Sequence, residues 1–210
     1  MPLEKIVLEQ DRALGLWLIN EDENALVPHL SEEKIPESFT NPNKRLEWLS
    51  ARLLVKVLLE SWGLPYHGIA KDDHGKPSVA VHGYHLSLSH SYPYVAALID
   101  KHQPVGIDLE QPKAKLLRVG PRVLHPDELS DAGSDLVKHC IYWCSKEALI
   151  KFYGKKDLTL AENLIISPFL KEDAGEITGK IIVTSDVTVV PLYYSVHPNF
   201  VMVFNKRIAT

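Results

Sequence analysis

Acidic and basic side chains recur in two short stretches of the sequence, at spacings that could hold a metal ion. Glu147 and Lys151 are one turn apart in a stretch with helical periodicity, so both project from one face of the predicted helix. Asp108 and Glu110 are two residues apart in the apolar run 105–110, so both carboxylates lie on one face of a predicted strand. Three carboxylates on a strand and a nearby helix suit a hard cation that binds phosphate oxygens, such as Mg²⁺.

The glutamate–lysine pair has a simpler interpretation when it is taken alone. Such pairs are ordinary on any solvated helix, so Glu147 and Lys151 by themselves favour a surface ion pair. The strand with Asp108 and Glu110 makes a cation site the better interpretation, in which Lys151 adds positive charge beside a departing phosphate or proton. The ten histidines show no H-x-H or H-x-x-x-H spacing, so no second metal site is predicted from them.

Two further stretches place polar side chains where they could meet a ligand phosphate. Lys76 lies between Gly75 and Pro77, which fix a turn with the ammonium at its tip, although a plain surface turn has the same pattern. Ser89 and His90 follow a predicted strand and could donate hydrogen bonds to a phosphate. A serine hydrolase is disfavoured, because the sequence contains no Gly-x-Ser-x-Gly elbow.

Two long helices are predicted to carry much of this chemistry. The first is capped by Asn41 and ends near Trp62, with Arg45 and Arg52 on a basic face that is more often a solvated surface than a binding site. Its predicted buried stripe consists of Leu46, Leu49, Leu53 and Val57. The second ends at Gly154, a residue suited to a left-handed cap. Its predicted buried stripe consists of Val137, Ile141, Cys144, Ala148 and Phe152.

Strand patterns surround these helices in an order that repeats. Apolar runs at 14–19, 84–88 and 94–99 are typical of strands, and residues 163–205 are β-rich. The order strand, long helix, two strands is followed after Pro104 by strand, helices and several strands. We therefore expect an α+β fold of two similar halves, residues 1–103 and 104–210, with a ligand cleft between them.

Composition narrows the functional class. The 210 residues carry a net charge of −4, which disfavours a nucleic-acid coat or a polybasic membrane anchor. The two cysteines, Cys140 and Cys144, are one helical turn apart and are expected to be buried thiols of a reducing compartment. No apolar run approaches membrane-spanning length, and the first residues lack the pattern of a secretory signal. We expect a cytoplasmic protein that does not bind membranes or nucleic acid.

Taken together and in order, these motifs resemble one family. Gly75-Lys-Pro77, Leu88-Ser-His-Ser91, Val105-Gly-Ile-Asp-Leu-Glu110, Pro126-Asp-Glu-Leu129 and Trp143-Cys-Ser-Lys-Glu-Ala-Leu-Ile-Lys151 resemble the 4′-phosphopantetheinyl transferases, in particular their long, monomeric surfactin-synthetase type. The resemblance spans about residues 45–154, and each motif alone is weak. It implies two α+β halves related by a pseudo-twofold axis, with the active site at the seam. It also implies Mg²⁺-dependent transfer of phosphopantetheine from coenzyme A to a serine of an apo carrier protein, with release of adenosine 3′,5′-bisphosphate.

The resemblance assigns roles to individual residues. Asp108, Glu110 and Glu147 would hold Mg²⁺, or Mn²⁺ in its place, against the coenzyme A pyrophosphate, with Glu147 or Glu110 as the base. Lys151 would lie near the phosphate and protonate or neutralise the leaving group. Lys76, Ser89 and His90 would contact the nucleotide end with its 3′-phosphate, and Arg45 and Arg52 match the basic helix near that phosphate. Glu128 matches an acidic position in the loop after the carboxylate strand, with no role assigned.

Two other functions use the same residues. One is a metal-dependent phosphodiesterase or nuclease, which the acidic balance of the chain disfavours. The other is an inactive module that binds coenzyme A and docks carrier domains, which the intact Asp108, Glu110, Glu147 and Lys151 disfavour. The carrier could belong to fatty-acid, polyketide or nonribosomal peptide biosynthesis, and we expect a monomer.

Overall fold

The computed structural model of the chain describes residues 3–30, 33–155 and 157–208. Its internal contacts fall into two compact units, Met1–Pro104 and Val105–Thr210. Both units combine helices with an antiparallel sheet, so the predicted α+β class is confirmed. The division into domains at 103/104, the pseudo-twofold axis and a site at the seam stay predictions.

The N-terminal unit contains a six-stranded antiparallel sheet in the order β1-β2-β6-β5-β4-β3. The strands are β1 (Leu3–Leu8), β2 (Arg12–Leu18), β3 (Ile69–Lys71), β4 (Pro77–Val79), β5 (His85–Ser91) and β6 (Tyr94–Asp100). The helices are α1 (Glu23–Leu26), a 3₁₀ turn (Val27–His29) and α2 (Pro42–Ser61). Sequence patterns predicted β2, α2, β5 and β6, but not the edge strand β1 or the short pair β3 and β4.

Helix α2 begins as predicted and buries a wider face than predicted. The side chain of Asn41 accepts the backbone N–H groups of residues 43 and 44, which caps the helix. Of the predicted stripe, Leu49 and Leu53 are buried, whereas Leu46 and Val57 are only half-buried. The predicted stripe does face the core, since Leu46 and Val57 also pack against it. The buried surface is wider than predicted, because it also includes positions 47, 51, 54 and 58, which follow the same helical spacing.

The polar stretch Ser89 to Ser91 lies inside a strand rather than between two strands. Strand β5 extends to Ser91 and pairs with β6 through Ser89–Ala96 and Ser91–Tyr94. The prediction ended this strand at residue 88, because its alternating serines lack the apolar or β-branched character of most strands. As a result, the β5–β6 connection is only Tyr92 and Pro93.

The C-terminal unit contains a five-stranded antiparallel sheet in the order β7-β11-β10-β9-β8. The strands are β7 (Ile107–Glu110), β8 (Leu164–Ile166), β9 (Ala174–Val183), β10 (Asp186–Val196) and β11 (Val201–Asn205). The helices are α3 (Lys115–Val123), α4 (Pro126–Ala132), α5 (Leu136–Tyr153) and α6 (Leu160–Asn163). The predicted carboxylate strand and β-rich C-terminal region are therefore present.

Helix α5 ends where its sequence predicts. The Asp135 side chain accepts the backbone N–H of Lys138 at the start, and Gly154 adopts a left-handed conformation at the end, with φ of 80°. Within the predicted stripe, Ile141, Cys144 and Ala148 are fully buried. Its apolar surface packs in the core formed with the C-terminal sheet.

The two cysteines of α5 are buried free thiols, as predicted. Burial raises the pKa of Cys144 well above its usual range, so this thiol is protonated and inert at neutral pH. In the part of the chain that the structure describes, none of the helices combines the length and hydrophobicity needed to cross a bilayer.

Gly106 allows helix α5 to lie directly on the chain that enters β7. A Cβ atom at this position would lie 1.9 Å from the carbonyl oxygen of Ala148 and 2.7 Å from the amide nitrogen of Phe152. The Asn205 side chain accepts the Gly106 N–H at 2.8 Å and holds this segment against β11. Because both clashing groups are backbone, no side-chain rearrangement can make room for a larger residue.

Gly106→Ala is therefore expected to destabilise the protein by about 3 kcal/mol or more, at the upper end of overpacking effects. Gly83→Ala is a suitable control, because a Cβ there would meet no atom within 4 Å. Its φ of 67° should limit the loss to roughly 1–2 kcal/mol. Urea unfolding of both variants measures the difference, and equal losses would contradict the close approach.

Candidate functional site

Asp108 and Lys151 form a partly buried ion pair between the beginning of β7 and the last turn of α5. Lys151 Nζ donates to Asp108 Oδ1 at 2.8 Å and to the carbonyl oxygen of Ile107 at 3.0 Å. The Asp108 side chain is 8% exposed and the Lys151 side chain is 27% exposed. The lysine ammonium is thus held at the strand on which the predicted metal-binding carboxylates lie.

Glu147 lies one turn before Lys151 and is electrostatically coupled to both members of this pair. Burial raises the pKa of Glu147 above its ordinary value, the negative charge of Asp108 raises it further, and the Lys151 charge opposes the increase. The structure therefore brings Asp108, Glu147 and Lys151 together. A glutamate with a raised pKa is a better proton acceptor near neutral pH than an ordinary carboxylate.

Glu110 lies at the far end of β7 and makes its own contacts. Its Oε2 is 3.0 Å from Lys115 Nζ, and its Oε1 accepts the backbone N–H of Gln111 at 2.9 Å. Among residues 3–30, 33–155 and 157–208, no group of three or more His, Cys, Asp and Glu side chains is arranged to hold a metal ion. The predicted three-carboxylate site, with Glu110 in it, stays a prediction.

The donors that do come together are compatible with magnesium. Mg²⁺ prefers carboxylate oxygens, and proteins usually supply only one or two of them because substrate phosphates and waters complete the shell. Asp108 and Glu147 supply two carboxylates in a partly buried position, and the Asp108 charge already disfavours ionisation of Glu147. A divalent cation would relieve this repulsion between like charges.

In the N-terminal unit, Lys76 lies at the predicted turn but is not fully exposed. Asp72 accepts the backbone N–H groups of His74 and Lys76 and thereby fixes the turn between β3 and β4. The side chain of Lys76 is half-buried, and this burial lowers its pKa from the ordinary lysine value. The ammonium is therefore partly withdrawn from water.

Ser89 and His90 project from opposite faces of β5, because side chains alternate along a strand. Ser89 is buried, with 5% exposure, whereas the His90 side chain is 54% exposed. His90 Nδ1 lies 3.1 Å from the carboxylate of Glu47 on α2. Sequence analysis missed Glu47, although its position on the same helical face as Leu54 and Leu58 was a usable signal.

Arg45 and Arg52 both form ion pairs within the N-terminal unit. Arg45 pairs with Glu23, with Nε 2.7 Å from Oε2, and Arg52 Nε is 2.5 Å from Glu33 Oε2. The Arg52 guanidinium also lies over the Trp48 ring, 3.6 Å from its centroid. These contacts fasten the chain that precedes α2 to the helix, and a role of the arginines in phosphate binding stays a prediction.

A cleft of about 440 Å³ opens in the same unit beside Glu33. Its lining includes Lys56, Glu60, Tyr66 and His67, and the Tyr66 hydroxyl donates a hydrogen bond to Glu33. None of the predicted site residues lines this cleft.

Glu128 belongs to helix α4 and forms a buried ion pair, which corrects its predicted position in a loop. Its Oε2 lies 2.7 Å from Lys146 Nζ, and both side chains are 1% exposed. The same carboxylate accepts the backbone N–H groups of His125 and Ile166, each at 2.7 Å. Lys146 also donates to the carbonyl oxygen of Leu160 at 2.8 Å. These contacts tie α4, α6 and β8 to the helix that carries Glu147.

Comparison with known proteins identifies the C-terminal part of this arrangement. The family model of the 4′-phosphopantetheinyl transferase superfamily matches residues 104–197, which include Asp108, Glu110, Glu147 and Lys151. In this segment, the chain is similar to the 4′-phosphopantetheinyl transferase superfamily. The chain is also 33% identical over 111 residues to the 4′-phosphopantetheinyl transferase psf-1 of Bacillus pumilus. It is 31% identical over 113 residues to a 4′-phosphopantetheinyl transferase of Bacillus subtilis.

These similarities cover about half of each protein. The matches span 49% of this chain, 47% of the Bacillus pumilus relative and 49% of the Bacillus subtilis relative. The superfamily match begins at residue 104, so it does not reach the candidate nucleotide contacts Lys76, Ser89 and His90. Roles for those residues rest on their geometry and on the motif resemblance.

Glu147→Gln should stabilise the protein at neutral pH when divalent ions are removed with EDTA. Because the folded-state pKa of Glu147 is raised, ionisation destabilises the fold as pH rises above the unfolded value of about 4.3. This loss of stability is complete at pH values above the raised folded-state pKa of Glu147. Melting temperatures should therefore be nearly equal for wild type and variant at about pH 4, and the variant should melt higher at about pH 8. A variant that melts lower at about pH 8 would contradict this description of Glu147.

Glu128→Ala should destabilise the protein by about 3–5 kcal/mol, because it leaves the buried Lys146 ammonium without its carboxylate. The double variant Glu128→Leu with Lys146→Met should lose less stability than the sum of the losses caused by the two single substitutions. Glu176→Gln, which breaks the exposed pair with Lys206, is the control and should change stability by at most about 1 kcal/mol. Denaturant unfolding distinguishes these outcomes, and a small effect of Glu128→Ala would rule out a structural role for the pair.

Proposed function

We propose that the chain transfers the 4′-phosphopantetheine group of coenzyme A to a serine of an apo carrier protein and releases adenosine 3′,5′-bisphosphate. The observation that carries the proposal is the grouping of Asp108, Glu147 and Lys151 inside the segment that matches the superfamily. We propose further that the chain is of the long surfactin-synthetase type, acts as a monomer and is cytoplasmic.

In the proposed reaction, the carrier serine Oγ attacks the β-phosphorus of coenzyme A. A bond forms between Oγ and phosphorus, and the bond from phosphorus to the oxygen bridging the two phosphates breaks. Glu147 takes the serine proton, directly or through a water. Glu110 is the alternative base, and its carboxylate lies 3.0 Å from the ammonium of Lys115.

Lys151 and the metal site act on the phosphates in this mechanism. The Lys151 ammonium, held at Asp108 and Ile107, offsets negative charge that develops on the leaving oxygen. Asp108 and Glu147, with Glu110 as the third predicted ligand, would hold Mg²⁺, which would supply positive charge beside the pyrophosphate. Catalysis then consists mainly of positioning and charge stabilisation, as in other phosphoryl transfers.

The N-terminal unit would hold the nucleotide end of coenzyme A. We propose that Lys76, Ser89 and His90 contact the 3′-phosphate, with Arg45 and Arg52 nearby. Lys76 is suited to this role because a half-buried ammonium gains more from a phosphate than a fully solvated one does. Both arginines keep further N–H donors beyond those used in their ion pairs.

Intact-mass measurement of a carrier protein tests this function. With coenzyme A and Mg²⁺, an apo carrier should gain one phosphopantetheine group. Glu147→Gln should lower kcat by about 10²-fold or more, the scale of general-base removal. Glu162→Gln changes an exposed glutamate of the same unit and should leave kcat unchanged.

Other outcomes of the same assay would support different functions. Cleavage of nucleic acid would favour a phosphodiesterase, and coenzyme A binding without a mass gain would favour an inactive docking module. Full activity of the wild type in EDTA, or near-normal turnover of Glu147→Gln, would contradict the proposed site.

A further inference from the structure

The carboxylate of Glu47 is buried in a helix face that otherwise packs against the N-terminal sheet. Glu47 is 8% exposed and shares this face of α2 with the fully buried Leu54 and Leu58. Burying a carboxylate is costly unless hydrogen bonds replace its water. The two contacts of its carboxylate therefore indicate the role of Glu47.

Both contacts of Glu47 reach the β5–β6 hairpin. Its Oε1 accepts the backbone N–H of Tyr92 at 2.9 Å, and its Oε2 lies 3.1 Å from Nδ1 of His90. An ionised carboxylate can only accept hydrogen bonds, so His90 Nδ1 must carry the proton. In a neutral imidazole with a protonated Nδ1, the other nitrogen, Nε2, is the acceptor.

We propose that Glu47 is a positioning residue for His90, fixing the orientation and the tautomer of its ring. The proposal rests on the proposed function, in which His90 meets the 3′-phosphate of coenzyme A. The carboxylate holds the Nδ1 edge of the ring against the protein, so that Nε2 points toward the ligand. A ring with protons on both nitrogens can donate from Nε2 to the phosphate while Nδ1 keeps its bond to Glu47.

The exposure of His90 gives this contact its importance. The His90 side chain is 54% exposed, so packing alone leaves the ring several orientations. A hydrogen bond to one ring nitrogen determines which tautomer is present, and orienting carboxylates act in this way on histidines at metal sites. A purely structural alternative is that Glu47 serves only the Tyr92 N–H group and thereby closes the hairpin.

Nitrogen-15 spectra of the His90 ring test the contact without any enzyme assay. At about pH 8.5, two units above the ordinary histidine pKa, wild type should contain mainly the tautomer protonated on Nδ1. His90→Gln identifies the signal by removing it. Glu47→Gln keeps an acceptor for the Tyr92 N–H and should reduce the share of the Nδ1 tautomer. A wild-type ring protonated mainly on Nε2 would overturn the proposal, even if no Glu47 variant folds.

Calorimetric binding of coenzyme A and dephospho-coenzyme A tests the consequence for the ligand. Glu47→Gln should weaken coenzyme A binding roughly tenfold, the lower end of what loss of a histidine's orienting partner costs. Binding of dephospho-coenzyme A, which lacks the 3′-phosphate, should change little. Glu60→Gln is the matched control, since it changes an exposed glutamate of the same helix and should affect neither ligand.

A double-mutant cycle separates positioning from a structural role. If Glu47 acts through His90, Glu47→Gln combined with His90→Gln should bind coenzyme A no more weakly than His90→Gln alone. Additive losses, or equal losses for both ligands, would overturn the proposal. If wild type binds coenzyme A but modifies no carrier, the proposed transferase function fails while the role of Glu47 stands. If wild type does not bind coenzyme A at all, the ligand contact fails as well.

Discussion

The contact on which the candidate site depends is the backbone approach of helix α5 to Gly106. A Cβ at this position would lie 1.9 Å from the Ala148 carbonyl oxygen, so only glycine permits the helix to lie there. This approach lets the last turn of α5 present Lys151 to the Ile107 carbonyl and to Asp108. A helix displaced by one methyl group would separate the lysine from the strand, although every residue of the site would still be present.

Several charged residues in the described part of the chain hold secondary-structure elements together. The fully buried pair of Glu128 and Lys146 joins three elements of the C-terminal unit to α5. Arg45 and Arg52 similarly fasten the chain before α2 to that helix. Buried or partly buried ion pairs of this kind fix geometry more reliably than they add stability. They support the elements that carry the reactive groups.

Glu147, in contrast to these paired residues, lies where its charge lowers the stability of the fold. Its partial burial near Asp108 disfavours the ionised carboxylate, which is the form that accepts a proton or binds a cation. A fold selected for stability alone would place a neutral or apolar side chain here. Two carboxylates in one partly buried place repel each other, and groups whose ionisation is perturbed in this way are common at functional sites.

Local sequence patterns were enough to predict the α+β class, the ends of α2 and α5, and the presence of Glu147 and Lys151 on one helical face. These features follow from local rules: capping residues, periodicity and the pleat of a strand. The packing of the folded chain was needed to show that Asp108 contacts Lys151, that Glu110 contacts Lys115, and that Glu47 contacts His90. Those contacts join residues distant in the chain or depend on how a side chain turns, and sequence spacing determines neither. Two polar residues are also buried where a sequence pattern would place them in solvent. Glu47 and Lys146 lie on apolar helix faces, where a partner on another element stabilises their charge.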